Sequence, residues 1–387
     1  MFSLRCALVS LFAGVAVVVA APASSFHHDH DQISTFSNKV IFTPPTNYTD
    51  PRVLYSRTVE LLDGTLLATW ENYSPEPPLV YFPIYQSKDA GQTWSEIGKV
   101  TDQVNGWGLR YQPFLYELPE EFGGFPAGTV LCAGNSIPTD LSQTRIDVYA
   151  SVDQGRTWKF VSHVAAGGKA VPDNGETPIW EPFLMMYKDQ LVIYYSDQRD
   201  PLHGQKLVHQ TSRNVETWSD PVDDVSYSTY TARPGMTTVT QLPDGRYMMT
   251  YEYGGGPGFS GYSFPVYYRI NADPLKFNDS IGYPVVVGST HPVSSPYVTW
   301  SSVGGKNGTI IVSSGTNSQI FVNRALGDQG KWEMYNTPQP VAYTRHLRVF
   351  KEDQSKLLIM GAGHLPPSTT NNVSLSVIDL AKTLNLS

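Results

Sequence analysis

The chain has 387 residues, a formal net charge of -8 and 16% charged side chains, against ~25% in ordinary domains. An acidic, charge-poor chain is not built to bind nucleic acid, whereas 12% aromatic residues with 32 Gly and 29 Pro suit an all-β protein that handles uncharged sugars. The longest apolar run, Cys6 to Ala20, is shorter than the ~18 to 20 residues of a spanning helix, so no membrane span is expected.

That run follows Arg5 and ends in Ala21-Pro22-Ala23, the pattern of a cleaved secretory signal over residues 1–23. The mature protein, residues 24–387, is expected to be extracellular, a single catalytic domain and by default a monomer. Asn-x-Ser/Thr acceptors at Asn47, Asn72, Asn278, Asn307, Asn372 and Asn385 fit that compartment. Cys6 leaves with the signal, and Cys132, in the apolar run Val130-Leu131-Cys132-Ala133, is left without a disulfide partner. Stability must then come from a core, and roughly 360 residues can bury a large one. His27, His28 and His30 read as a solvated tail, and neither a metal nor a cofactor is expected.

Six segments then repeat one pattern, an apolar run, a tight turn and a second apolar run: YSRTVELLDGTLLATWENY, YQPFLYELPEEFGGFPAGTVLCAGNS, WEPFLMMYKDQLVIYYSDQ, RPGMTTVTQLPDGRYMMTYEYG, YVTWSSVGGKNGTIIVSSG and RHLRVFKEDQSKLLIMGAG. Their turns, near Gly64, Gly128, Gln190, Gly245, Gly308 and Gln354, recur every ~45 to 65 residues, the scale of a four-stranded propeller blade. A second repeat lies between them. Ser87-Lys-Asp89-Ala-Gly91-Gln-Thr93-Trp94 and Ser151-Val-Asp153-Gln-Gly155-Arg-Thr157-Trp158 both match S-x-D-x-G-x-T-W, the Asp box, with degenerate copies at Ser212–Trp218 and Asp328–Trp332. In this box Asp bonds its own backbone, Gly supplies a positive φ and Trp packs beneath, a structural role for Asp89 and Asp153. The predicted fold is an all-β six-bladed β-propeller, its last sheet closed by pairing Lys39–Thr43 with Ser374–Leu380.

In a blade the start of the first strand and the end of the second share a face, which gathers Gln112, Glu181, Arg233, Arg345 and His346 with Glu71, Asn135, Asp197 and Glu252 around the central channel. Glycoside cleavage needs one protonated and one ionised carboxyl flanking the scissile bond. Glu181 in Trp180-Glu181-Pro182-Phe183 and Glu252 in Tyr251-Glu252-Tyr253 fall in adjacent blades and in apolar settings that raise a carboxyl pKa. Glu176, in the loop Asp173-Asn174-Gly175-Glu176, competes for the acid role. Arg233, Arg345 and His346 would bond sugar hydroxyls or hold loops, and Trp107, Tyr111, Trp180, Tyr251, Tyr253, Tyr297 and Tyr343 offer flat faces to a sugar ring or belong to the core. Gly254–Gly258 reads as a lip over the pocket or a plain loop.

These motifs resemble glycoside hydrolase family 93, the exo-1,5-α-L-arabinanases of the sialidase-like Asp-box superfamily, over essentially the whole mature chain. The resemblance implies a retaining mechanism with Glu181 of WEPF as acid/base and Glu252 of YEYGG as nucleophile, on arabinan or arabino-oligosaccharides, with arabinobiose as product. Two other readings stay open. A sialidase would use Arg57, Arg233 and Arg345 as a carboxylate-binding triad with Tyr297 or Tyr343 as nucleophile, although Tyr55-Ser56-Arg57-Thr58 replaces the first-blade sialidase motif. A non-catalytic propeller would bind a glycan or protein partner and need no carboxyl pair.

Overall fold

The computed structural model describes residues 33–386. The predicted signal segment and His27, His28 and His30 lie outside the described residues. Each hairpin of the sequence repeat forms the inner half of an antiparallel four-stranded sheet, and six such sheets make a six-bladed β-propeller. Blade 1 runs through Val53–Glu60, Leu66–Asn72, Phe82–Ser87 and Ser95–Val100, and blade 2 through Leu109–Glu117, Val130–Ser136, Thr144–Ser151 and Lys159–Gly167. Blade 3 comprises Ile179–Tyr187, Gln190–Asp197, Lys206–Ser212 and Val222–Val225, and blade 4 Arg233–Gln241, Tyr247–Gly254, Val266–Asn271 and Tyr283–Pro284. Blade 5 contains Tyr297–Ser301, Thr309–Ser313, Ile320–Asn323 and Trp332–Tyr335.

Blade 6 takes three strands from the C-terminal part, His346–Val349, Lys356–Gly361 and Val373–Asp379, and its outer strand, Phe36–Phe42, from the start of the described chain. The expected closure is present, with Lys39 opposite Leu375 and Val40 opposite Ser374. Pairing the two ends of the ring in one sheet covers what would otherwise be an exposed edge.

Apolar side chains on both faces of each sheet interlock between blades. Leu67, Phe82 and Ile84 of blade 1 pack with Leu109, Leu115 and Cys132 of blade 2, and Val53 and Trp70 meet Leu358 and Leu375 of blade 6. Cys132 is 1% exposed, and burial pushes its thiol well above the ordinary range, so it is an inert core residue. Burial also separates the glycan acceptors, since Asn72 is 4% exposed inside a strand and closed to modification in the folded protein.

The two complete S-x-D-x-G-x-T-W segments make the same turn. Asp153 accepts the Thr157 N–H (2.9 Å) and the hydroxyls of Ser151 (2.8 Å) and Thr157 (2.6 Å), while the Trp158 indole donates to the Gly155 carbonyl (3.0 Å). Asp89 repeats every one of these bonds around Gly91, whose φ is +90°. These carboxylates are saturated by their own turns, which agrees with a structural role.

One feature recurs where each inner strand begins. Tyr55, Gln112, Glu181 and Met236 have φ of +52°, +60°, +65° and +55°, each at a break in register with the second strand. Ser295 and Thr344, just ahead of the inner strands of blades 5 and 6, have φ of +43° and +59°. Left-handed backbone at a non-glycine residue costs about 1 to 3 kcal/mol, and a bulge re-aims the side chain it carries. The propeller repeats this device on one face of all its blades, and Glu181 sits on it.

Candidate active site

A cavity of about 700 Å³ opens on the face where inner strands begin, and two of the left-handed residues, Gln112 and Glu181, line it. Glu181 and Glu252 both line it, with Gln112, Trp180, Arg233 and Tyr343 from the sequence-based set. Glu181 is 9% exposed, and its Oε2 accepts the Ser196 hydroxyl (2.6 Å) and the Met236 N–H (2.7 Å), which leaves Oε1 without either donor. Glu252 is half-buried, and its Oε2 accepts the Ser295 N–H at 2.7 Å. Two of the donors that fix the pair, Met236 and Ser295, are therefore themselves residues with left-handed backbone.

Gly235 lies between the two glutamates. A Cβ at this position would come 3.6 Å from Glu181 Oε2 and 3.6 Å from Glu252 Oε1, so these oxygens are separated by no more than twice that distance. The same Cβ would meet Gln205 Nε2 at 2.7 Å, so Gly235 keeps the space between the carboxyls open. That upper limit is compatible with the carboxyl separations glycosidases use. The proximity couples the two titrations: burial, then the charge of Glu181, pushes Glu252 up to about 7. Burial raises Glu181 too, opposed by its bonds from Ser196 and Met236. The proton retained near neutrality belongs to the pair.

Glu71 is a third buried carboxyl on the cavity wall, pushed up to about 7 by burial. A group whose folded pKa exceeds its unfolded value binds its proton more tightly when folded, so stability falls as pH rises between the two values. For Glu71 and Glu252 that window runs from 4.5 to about 7. Urea midpoints measured across it should decline for the wild type and decline less for Glu252→Gln, which has no such proton to lose.

The rest of the sequence-based set divides between the cavity wall and contacts elsewhere. Gln112 and Trp180 sit in the wall as polar and aromatic surface, and Arg233 lines the cavity while its guanidinium binds Asn174 Oδ1 (2.7 Å), Gln198 Oε1 (3.0 Å) and Gln205 Oε1 (2.8 Å). This holds the 173–174 loop in place and puts no carboxylate in direct contact with Arg233. Asp197, Tyr251, Tyr253, Tyr297, Arg345 and His346 do not line the cavity. Asp197 is paired with Arg199 through both oxygens (2.9 and 2.6 Å). Tyr251 is fully buried with its hydroxyl on that of Tyr227 (2.7 Å), and Tyr253 stacks on the Tyr227 ring at 4.1 Å.

Arg345 is also fully buried, donating to the carbonyls of Asn317 (2.8 Å), Ser318 (2.9 Å) and Gln319 (2.9 Å). His346 contacts Thr58 Oγ1 (2.7 Å) and packs on the Tyr297 ring (4.4 Å), and burial beside Arg348 and Arg57 holds its imidazole neutral. Of the three arginines of a sialidase triad only Arg233 lines the cavity, so the triad is not assembled. Glu176 is also off the wall, 4.0 Å from Lys169. The glycine-rich segment after Glu252 leads to Tyr262 and Phe264, which join Tyr73, Gln205, Ser294, Leu365 and Pro366 and the 170–174 loop in the lining. Most of these lie on loops without periodicity; among the additional lining residues Glu71, Tyr111 and the loop residues Asp173 and Asn174 carried a sequence signal.

No family model matches the chain and no curated protein matches it. Among solved structures, the GH93 α-L-arabinofuranosidase of Fusarium graminearum in complex with arabinobiose is 60% identical, with a TM-score of 0.89, over 90% of this chain and 99% of that one. The chain belongs to glycoside hydrolase family 93. A Penicillium chrysogenum α-L-arabinanase, also complexed with arabinobiose, is 55% identical with a TM-score of 0.88 over the same shares of the two chains. A Hadza microbial sialidase, at 14% identity and a TM-score of 0.60 over 89% of this chain and 69% of its own, shares the fold alone. The family 93 residues of this chain are thus mounted on a sialidase-like propeller.

Proposed function

We propose that this protein is a secreted exo-1,5-α-L-arabinanase that removes arabinobiose from the non-reducing end of arabinan by a retaining, two-glutamate mechanism. The observation that carries the reading is the pair Glu181 and Glu252, facing one another across Gly235 in a cavity walled by Trp180, Tyr343 and Phe264. The arabinobiose held by relatives at 60% and 55% identity supports the substrate class.

In the first step Glu252 Oε1, the oxygen not held by Ser295, attacks the anomeric carbon. Glu181 passes its proton to the departing glycosidic oxygen, so the C–O bond breaks and an arabinobiosyl ester forms on Glu252. Positive charge developing at the anomeric carbon favours ionised Glu252 and leaves the pair's proton on Glu181. In the second step Glu181 takes a proton from water, the water oxygen attacks the anomeric carbon, and Glu252 departs as carboxylate. Apolar walls keep both charges poorly solvated, which strengthens every electrostatic interaction between them.

Incubating the secreted protein with linear α-1,5-arabinan beside a sialoside control, with products separated by size, tests the reading. Arabinobiose as the single early product is the expected result. A ladder of longer oligosaccharides would replace exo with endo action, and free sialic acid from the control alone would replace the substrate class.

A further inference from the structure

Glu71 is the glutamate of the cavity that double displacement does not use. It lies at the end of the second strand of blade 1 opposite Leu54, is 3% exposed, and lines the cavity in contact with Tyr73 and Gln112. Its two oxygens are held apart by neutral partners: Oε2 accepts the Tyr73 hydroxyl at 2.7 Å and Oε1 accepts the Gln112 N–H at 2.9 Å. A carboxylate offers about four acceptor positions, so two remain once these donors are bound. Gln112 is itself fixed, because its backbone is left-handed and its side-chain oxygen accepts the N–H of Glu181 (3.0 Å) and the Asn135 amide (2.9 Å). Glu71 is therefore a rigid, buried acceptor on the cavity wall. Few, accurately placed polar groups on such a wall are how a pocket fixes the orientation of its ligand.

A sugar chain presents hydroxyl donors, and a carboxylate is the strongest acceptor a protein can set against one. We propose that Glu71 is a specificity-determining residue that accepts one hydroxyl of the bound arabinose chain, held in aim by Tyr73 and Gln112. This rests on the arabinan reading of the site and adds to it a residue that reads the substrate rather than cleaves it. Burial and the charge of Glu181 raise the Glu71 carboxyl while Arg57 and its two donors lower it, so a substrate hydroxyl replaces solvation that this carboxyl lacks in the free protein.

The test compares wild type, Glu71→Gln and Tyr73→Phe on arabinotriose and on analogues in which one hydroxyl at a time is replaced by hydrogen. In the wild type, one analogue should lose about 100-fold or more in kcat/KM, because a site built to bond a hydroxyl rejects the compound lacking it. Glu71→Gln should lose a similar factor on arabinotriose and show no further loss on that one analogue, keeping the wild-type ranking of the others. Tyr73→Phe, which removes one orienting donor and leaves the carboxylate, should weaken discrimination at the same position by about 10-fold and keeps the test open if Glu71→Gln does not fold. A purely structural role, acting through Gln112 on Glu181, would lower arabinotriose and every analogue by one common factor in both variants, and that outcome overturns the proposal. Wild type inactive on arabinotriose would remove the arabinan reading itself and this proposal with it.

Discussion

Glu252→Ala is expected to abolish turnover of arabinan, with a loss on the order of 10⁴-fold or more, while leaving the propeller folded. The residue removed would be the attacking group, and the other two glutamates of the wall are held by their own partners: Glu181 Oε2 by Ser196 and Met236, and Glu71 by Tyr73 and Gln112. The truncated side chain leaves room beside Gly235 for a small anion. With azide and an activated aryl arabinoside, the variant should form arabinosyl azide of inverted configuration, because azide then attacks directly from the side that Glu252 occupied. Loss of the Glu252 charge also removes a like neighbour from Glu181. Activity near the wild-type level in this variant would exclude Glu252 as nucleophile.

Glu181→Ala should fail in a different way. Without the acid, natural arabinan loses on the order of 10²- to 10⁴-fold, whereas an aryl arabinoside with a good leaving group still forms the ester on Glu252. The ester then accumulates, because no base activates water, and azide should restore turnover with retained configuration. Opposite azide products from the two variants would separate the roles of two residues that titrate as one pair. The same two products interchanged between the variants would reverse the assignment, and identical products would show that the roles are not divided between the two residues.

Blade number, ring closure and the positions of both glutamates were legible in the sequence because a propeller is a repeat: six hairpins fix the blades, and the face on which a residue falls follows from its place in a hairpin. Finer placement was less legible, for physical reasons that differ from residue to residue. Tyr251 and Tyr253 flank Glu252 on one strand, and side chains alternate between sheet faces, so aiming Glu252 at the cavity sends its neighbours into the seam with Tyr227. Arg345 and His346 follow the left-handed Thr344, and Arg345 meets the carbonyls of blade 5 rather than the cavity. Asp197 is taken by an arginine two positions along, Arg199. The bulges themselves leave no mark, since Tyr55, Gln112, Glu181 and Met236 are not the glycines that normally announce positive φ. Tyr262, Phe264, Leu365 and Pro366 reach the wall from loops or loop ends, where no period predicts direction.

The central claim is that Glu181 and Glu252 cleave arabinan by double displacement, and the anomeric configuration of the first product tests it most directly. Proton NMR recorded during the first minutes of arabinan hydrolysis, before mutarotation, should show α-arabinobiose ahead of the β-anomer. Initial appearance of the β-anomer would mean a single displacement by water, and would contradict an ester on Glu252.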